Sequence, residues 1–160
     1  MSNEPFYSRV RTFTYNDGDT VKVIEDLGHN QYRHISVRII GVDCPETRLL
    51  AQRKAGEAVA SLVHEWLCKA PNKGNGCVLY ARSDLPGKYS RRCIGDILWC
   101  HAPGPDGIKP AVGGLAEWLL YHELGKPYQG GARSWTYVEL NNILNRAKAM
   151  TDHGWSHMPF

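Results

Sequence analysis

No apolar run in the 160-residue chain approaches ~18 residues, so no membrane-spanning helix is expected. The opening stretch, Met1-Ser2-Asn3-Glu4-Pro5-Phe6-Tyr7-Ser8, has neither a basic start nor an apolar segment behind it. No secretory leader is visible there, and a cytoplasmic location is expected unless a leader has been trimmed. Five cysteines (Cys44, Cys68, Cys77, Cys93 and Cys100) are an odd number without CxxC spacing. They indicate neither a disulfide framework nor a zinc site, and free, mostly buried thiols are expected. Lysine and arginine exceed the acids by only three, 19 against 16. That excess is too small to identify a nucleic-acid binder, although it is compatible with one. Internal repeats, low-complexity blocks and long linkers are all missing, so one domain is expected over residues 1–160, with a core over 8–155 and loose termini.

What is present reads as a folded protein: 42% apolar and 22% charged residues are values of a soluble globular chain. Residues 8–15 alternate polar with apolar or aromatic side chains and predict a strand. Asn16-Asp17-Gly18-Asp19 reads as a turn, attributed to the ease with which Asp-Gly takes positive φ. Thr20 to Ile24 and Tyr32 to Val42 follow as strands, joined near Gly28-His29-Asn30. From Leu50 to Cys68 the period changes to three and four, with Ala55, Val59, Leu62, Val63, Trp66 and Leu67 on one helical stripe ahead of Pro71 and Gly74. Cys77 to Ala81 and Cys93 to Cys100 read as strands, and Ala102 to Pro110 as a loop. Leu115, Leu119, Leu120 and Leu124 predict a second helix. A third begins at a Ser134 cap, buries Val138, Leu140, Ile143 and Leu144, and ends at Gly154-Trp155. Five strands with a helix between the third and fourth predict an α+β fold, a five-stranded OB-fold (Greek-key) β-barrel with three α-helices. Trp66, Trp99 and Trp118 fall at core spacing.

The segment Val37 to Thr47 organises the rest. Arg38 interrupts an apolar strand, and a buried cation needs an anionic partner. Pro45 ends the strand and exposes Asp43 and Glu46 at its carboxyl end; taken alone, an Arg38–Glu46 pair satisfying the strand end is an equally good explanation. With Asp19 after the first turn, three acids lie at the ends of neighbouring strands, and Arg38 is joined by Arg91 or Arg92 at the opening of the last strand. Carboxylates without histidine or thiolate favour a hard divalent cation. Arginine forks suit phosphate oxygens, and an acid left over to activate water completes a phosphodiesterase.

Asp17-Gly18-Asp19-Thr20, Arg38-x4-Asp43-Cys44-Pro45-Glu46-Thr47, Tyr89-Ser90-Arg91-Arg92 and Ile94-Gly95-Asp96-Ile97 together resemble the staphylococcal nuclease (thermonuclease) family. Leu115-Ala116-Glu117-Trp118-Leu119, Lys126-Pro127-Tyr128 and Trp155 are similar to it as well, so the resemblance covers about residues 8 to 155. It implies a calcium-dependent nuclease of OB-fold type that hydrolyses DNA and RNA and leaves 3'-phosphate products. It further implies that Asp19, Asp43 and the backbone carbonyl of Cys44 hold Ca2+, that Glu46 is the general base and that Arg38 binds the reacting phosphate. The arginine of the last strand would stabilise the transition state. The family commonly has threonine where Cys44 stands. Its Tyr-Gly-Arg becomes Tyr89-Ser90-Arg91-Arg92 here, so alignment on Tyr89 selects Arg91 and alignment on Ile94-Gly95-Asp96 selects Arg92, the favoured register. Lys88 and Tyr89 are candidates to touch a terminal phosphate, and Tyr128 to stack on a base. The loop after Glu46 lacks the lysine cluster of the secreted type. The expected partner is DNA or RNA, acted on by a monomer away from membranes. The competing expectation is a noncatalytic nucleic-acid or protein-binding module on the same barrel; a purely structural barrel is more remote.

Overall fold

The computed structural model describes residues 4–69, 77–87, 91–101 and 111–154. Three long strands, β1 (Phe6–Asp17), β2 (Thr20–Gly28) and β3 (Gln31–Ile39), form an antiparallel meander. The two-residue β4 (Val42–Asp43) precedes helix α1 (Arg53–Cys68), and β5 (Cys77–Pro86) and β6 (Arg92–His101) form a hairpin. β5 pairs antiparallel with β1, while β6 lies parallel to β3, so the order β3-β2-β1-β5-β6 closes on itself. This is a closed five-stranded mixed barrel with three helices, the OB-like α+β fold that the strand count and helix placement indicate. β7 (Ala111–Gly114) extends the sheet beside β6, and α2 (Leu115–Tyr121) follows it. β8 (Lys126–Pro127) pairs with β4, and α3 (Tyr137–His153) ends the described chain.

The barrel interior follows from side-chain alternation. Val21 and Val23 of β2 and Ile35, Val37 and Ile39 of β3 are buried, while the residues between them face outward. The α1 stripe Ala55, Val59, Leu62, Val63, Trp66 and Leu67 is buried as its spacing predicts. Trp66 packs against Trp99 and Trp118, with ring centroids 6.2 and 6.1 Å apart, and Trp99 Nε1 donates to the Trp66 carbonyl at 3.2 Å. These tryptophans are core. Each large apolar side chain buried in this way contributes roughly 1.5–3 kcal/mol. Cys44 and Cys93 are free and buried, Cys68 is free and exposed, and Cys100 is buried. Among the described residues no helix is long and apolar enough to cross a membrane.

Several boundaries differ from the sequence reading, each for a local reason. β3 stops at Ile39, because Gly41 turns the chain with φ +74 and β4 pairs elsewhere, with β8. The cap of α3 is Thr136 rather than Ser134: the Thr136 side chain accepts from Glu139 N and the Glu139 carboxylate accepts from Thr136 N, a capping box. Leu140 and Ile143 are buried as expected, but Val138 is 66% exposed and Leu144 half-buried, and Ala147 and Met150 complete the buried face instead. Gly18 does not take positive φ; a Cβ there would lie 2.5 Å from Val59 Cγ1, so glycine is needed for close approach to α1. Pro71, Gly74, the stretch Ala102 to Pro110 and Trp155 onward lie outside the described residues.

Asp96, on β6, is buried and its Oδ1 accepts from Ile97 N at 2.9 Å and from Ala116 N at 3.0 Å, tying β6 to the first turn of α2. Burial pushes its pKa up to about 6, against the pull of those two donors. The fold therefore holds the Asp96 proton more tightly than the unfolded chain, where a carboxyl titrates near ~4. Its contribution to stability is full below about pH 4 and is lost as pH rises through about 6. Asp96→Asn keeps the acceptor and removes the charge. Melting curves from pH 4 to 8 should therefore show the stability gap between wild type and variant moving by about 2–3 kcal/mol in the variant's favour. Parallel curves would show that burial does not hold Asp96 protonated.

Candidate active site

The turn between β1 and β2 is laced to the segment after β4. Asp17 Oδ1 accepts from Thr47 N at 3.0 Å and Thr47 Oγ1 at 2.7 Å, and Asp19 Oδ2 accepts from Cys44 N at 2.7 Å. From the other side, Gln52 Oε1 accepts from Glu46 N at 2.9 Å. Gly56 lets α1 lie against this turn, since a Cβ there would stand 2.8–2.9 Å from the Glu46 and Pro45 carbonyl groups. Glu46 is thus held by its backbone, and its carboxylate stays accessible, 36% exposed.

Arg38 finds the anionic partner its position demands, but in Asp19 and Asp43 rather than Glu46. Its Nη2 lies 3.5 Å from Asp19 Oδ2 and 3.7 Å from Asp43 Oδ1. Nη1 donates to the carbonyls of Ile39 at 2.9 Å and Val42 at 2.8 Å, which fixes the turn leading to Asp43. All three side chains are buried, and Asp43 is only 1% exposed, which corrects the expectation that Pro45 leaves Asp43 exposed. Residues 126–133 cover it: β8 pairs with β4, and Tyr128 N donates to the Gly41 carbonyl at 3.0 Å. Burial raises the Asp19 pKa, with the Arg38 guanidinium and the Cys44 N–H pulling the other way. Two atoms remain without a hydrogen bond among the described residues, Asp43 Oδ2 and Arg38 Nη2. Nη2 is nonetheless ion-paired with both carboxylates, so the open group is the buried acceptor Asp43 Oδ2, which costs about 1–3 kcal/mol that a cation would remove.

The sequence reading missed Arg133. Its Nη1 lies 3.5 Å from both Asp43 Oδ1 and Glu46 Oε1, so two arginines bridge the three acids. It arrives from the irregular chain after Gly130-Gly131, whose φ values are +99 and +95, and no periodicity or motif marks it. Tyr128 lies between the arginines, with the Arg38 and Arg133 guanidinium carbons each 5.7 Å from its ring centroid, and its hydroxyl donates to the Gly131 carbonyl at 2.9 Å. The partly buried Tyr128 ring therefore meets two cations.

The β3–β6 register places Arg92 beside Ser36 and Ile94 beside Arg38, so Arg92 is on the same outward face as Arg38, one pair away. Arg91 is exposed, with φ +62, and its carbonyl accepts from Ser36 N at 2.8 Å. No ion pair joins either arginine to the three acids among the described residues. Lys88 and Tyr89 lie outside the described residues.

A divalent cation fits the donor chemistry. Two buried carboxylates converge on one guanidinium nitrogen, and Asp43 Oδ2 is an open hard donor. Burial pushes the Cys44 thiol well up, which disfavours a thiolate ligand and leaves its carbonyl as the group to offer. Among the described residues no group of three or more His, Cys, Asp or Glu side chains is arranged around a metal position, so a cation there would rest on two carboxylates and backbone oxygen. Comparison with models of known protein families and with curated proteins finds no match for the chain.

Proposed function

We propose that the protein is a calcium-dependent phosphodiesterase of the staphylococcal nuclease type that hydrolyses DNA or RNA. The observation that carries this reading is the buried open acceptor Asp43 Oδ2 in a cluster where Arg38 meets Asp19 and Asp43, with an accessible carboxylate, Glu46, joined to Asp43 through Arg133. Arg38 Nη2 receives a phosphate oxygen while Nη1 keeps the turn in place. Glu46 orients the attacking water and takes its proton, a role that needs an accessible carboxylate on a fixed backbone. Arg92, on the Arg38 face, supports the charge that builds on the phosphate and the leaving oxygen. Calcium held by Asp19, Asp43 and the Cys44 carbonyl would neutralise phosphate charge as a Lewis acid. Arg133 shares the Asp43 and Glu46 charge in the resting site and must release both as phosphate and water arrive.

The test is hydrolysis of single-stranded DNA and RNA with calcium, magnesium or chelator. Calcium should support cleavage, chelator should abolish it, and magnesium should bind yet turn over poorly, because its tight octahedral shell resists sharing the site. Undiminished cleavage in chelator would overturn the metal role. Binding without cleavage under all three conditions would leave a noncatalytic binding module.

A further inference from the structure

The outer faces of β1, β2 and β3 curve around a groove of about 430 Å³. That volume falls in the range that takes one nucleotide-sized ligand. Lys22, His34 and Arg91 line it together with the hydroxyls of Thr12, Thr14 and Ser36, and Ile24 supplies an apolar floor; no carboxylate is among the lining residues. Lys22, His34 and Arg91 are exposed, and none of their side chains has an ion-pair or hydrogen-bond partner among the described residues. In a chain whose net charge is only +3, several other cations of this barrel are paired, Arg11 with Asp26, Arg33 with Glu25 and Arg82 with Asp84, while Arg9 and Arg92 have no ion pair among the described residues. Basic groups around one groove without a counterion make a local anion site rather than a balanced surface.

The groove lies on the strand face that carries Arg38. Across β2, β3 and β6 the register pairs Thr20 with Arg38 and Ile94, then Lys22 with Ser36 and Arg92, then Ile24 with His34. Alternation puts Arg38, Ser36 and His34 on one face, so His34 lies about 13 Å from Arg38 along the strand. A cationic track therefore runs from Arg38 past Arg92 and Lys22 to Arg91 and His34.

We infer that this groove is a subsite for the neighbouring nucleotides of a single-stranded nucleic acid whose reacting phosphate lies on Arg38. Lys22 and Arg91 hold backbone phosphates, the threonine and serine hydroxyls donate to phosphate or sugar oxygens, and a base lies on Ile24 beside the His34 ring. The assignment rests on the phosphodiesterase reading for which molecule runs through the active site, and not for the groove's own charge.

The test is Lys22→Glu/His34→Glu, a change confined to exposed side chains, with Lys22→Ala as the milder variant should the double one fail to fold. Binding of a fluorescent single-stranded oligonucleotide of about 12 nucleotides, in chelator and at several salt concentrations, reads the groove without hydrolysis. The double variant should bind at least about tenfold more weakly, with a salt slope lower by about 0.7 for each phosphate no longer neutralised. With calcium, kcat/KM on the oligonucleotide should fall about tenfold through KM, while a dinucleotide substrate is cut at the wild-type rate. Should affinity, slope and KM all stay at wild-type values, the groove is no subsite even if the enzyme cuts DNA. Should no substrate be cut while oligonucleotide binding still depends on Lys22, the phosphodiesterase reading fails and the groove stands.

Discussion

Glu46→Gln should lower turnover by about two to three orders of magnitude while leaving the melting temperature within a few degrees of wild type. The change is nearly isosteric, and the Glu46 side chain is 36% exposed at the edge of the site, so no cavity opens and the core packing is untouched. The backbone hydrogen bond from Glu46 N to Gln52 also survives, which keeps the turn where it is. What goes is the negative charge that can accept a proton from water. Arg133 keeps Asp43 as a partner, so the guanidinium is not left alone. KM should change little, since the missing interaction belongs to the attacking water rather than to the bound phosphodiester. Steady-state kinetics on an oligonucleotide with calcium, alongside a thermal melt, measures both halves. A variant within twofold of wild type in kcat would remove Glu46 from the mechanism and reduce its position opposite Arg133 to an ion pair.

How far the sequence discloses this molecule depends on how local the cause is. Alternation in β2 and β3 and the α1 stripe are local burial patterns, and each places its buried face correctly. Arg38 is legible too, because a cation in an apolar strand requires a carboxylate; which carboxylate was open, since the partners are 19 and 5 residues away and Glu46 is only 8 away. The burial of Asp43 is illegible from Val37–Thr47, for it comes from β8 and Tyr128, about eighty residues later. Arg133 is the extreme case: it is 90 residues from Asp43 and sits in an irregular loop without period or motif. β7 and β8, of four and two residues, are too short to show a period and exist because a partner edge is available. Between Arg91 and Arg92 the deciding factor is pairing, since a one-residue slip sends a side chain to the opposite face of a strand. Pairing of Ser36 with Arg92 puts Arg92 on the Arg38 face, while Arg91 lies before the strand begins, with φ +62, and lines the groove on that same face beside Lys22 and His34.

Arg38→Met should do more damage to the protein than any other single change at this site. The methionine fills the space of the aliphatic stem, so the effect isolates the guanidinium. That group joins the Ile39 and Val42 carbonyls and stands between two carboxylates that are almost fully buried. Without it, Asp19 loses its cation and Asp43 keeps only Arg133, in a region where water cannot compensate, and removing one partner of such a cluster costs about 3–5 kcal/mol. For a chain of this size that is about 10 °C in melting temperature, measured at pH 7 in chelator. The sign of the pH dependence follows from the same charges. Burial already raises the Asp19 pKa against the pull of Arg38, and loss of Arg38 raises it further. The variant's folded state then holds protons that the unfolded chain releases near pH ~4, so its deficit should shrink as pH falls toward that value. Calcium supplies the alternative remedy: a divalent ion taken by the two carboxylates should raise the variant's melting temperature more than that of wild type, even where hydrolysis is lost. A variant as stable as wild type in chelator at pH 7 would mean that Asp19 and Asp43 are not jointly charged in the folded protein, and the cation site would lose its basis.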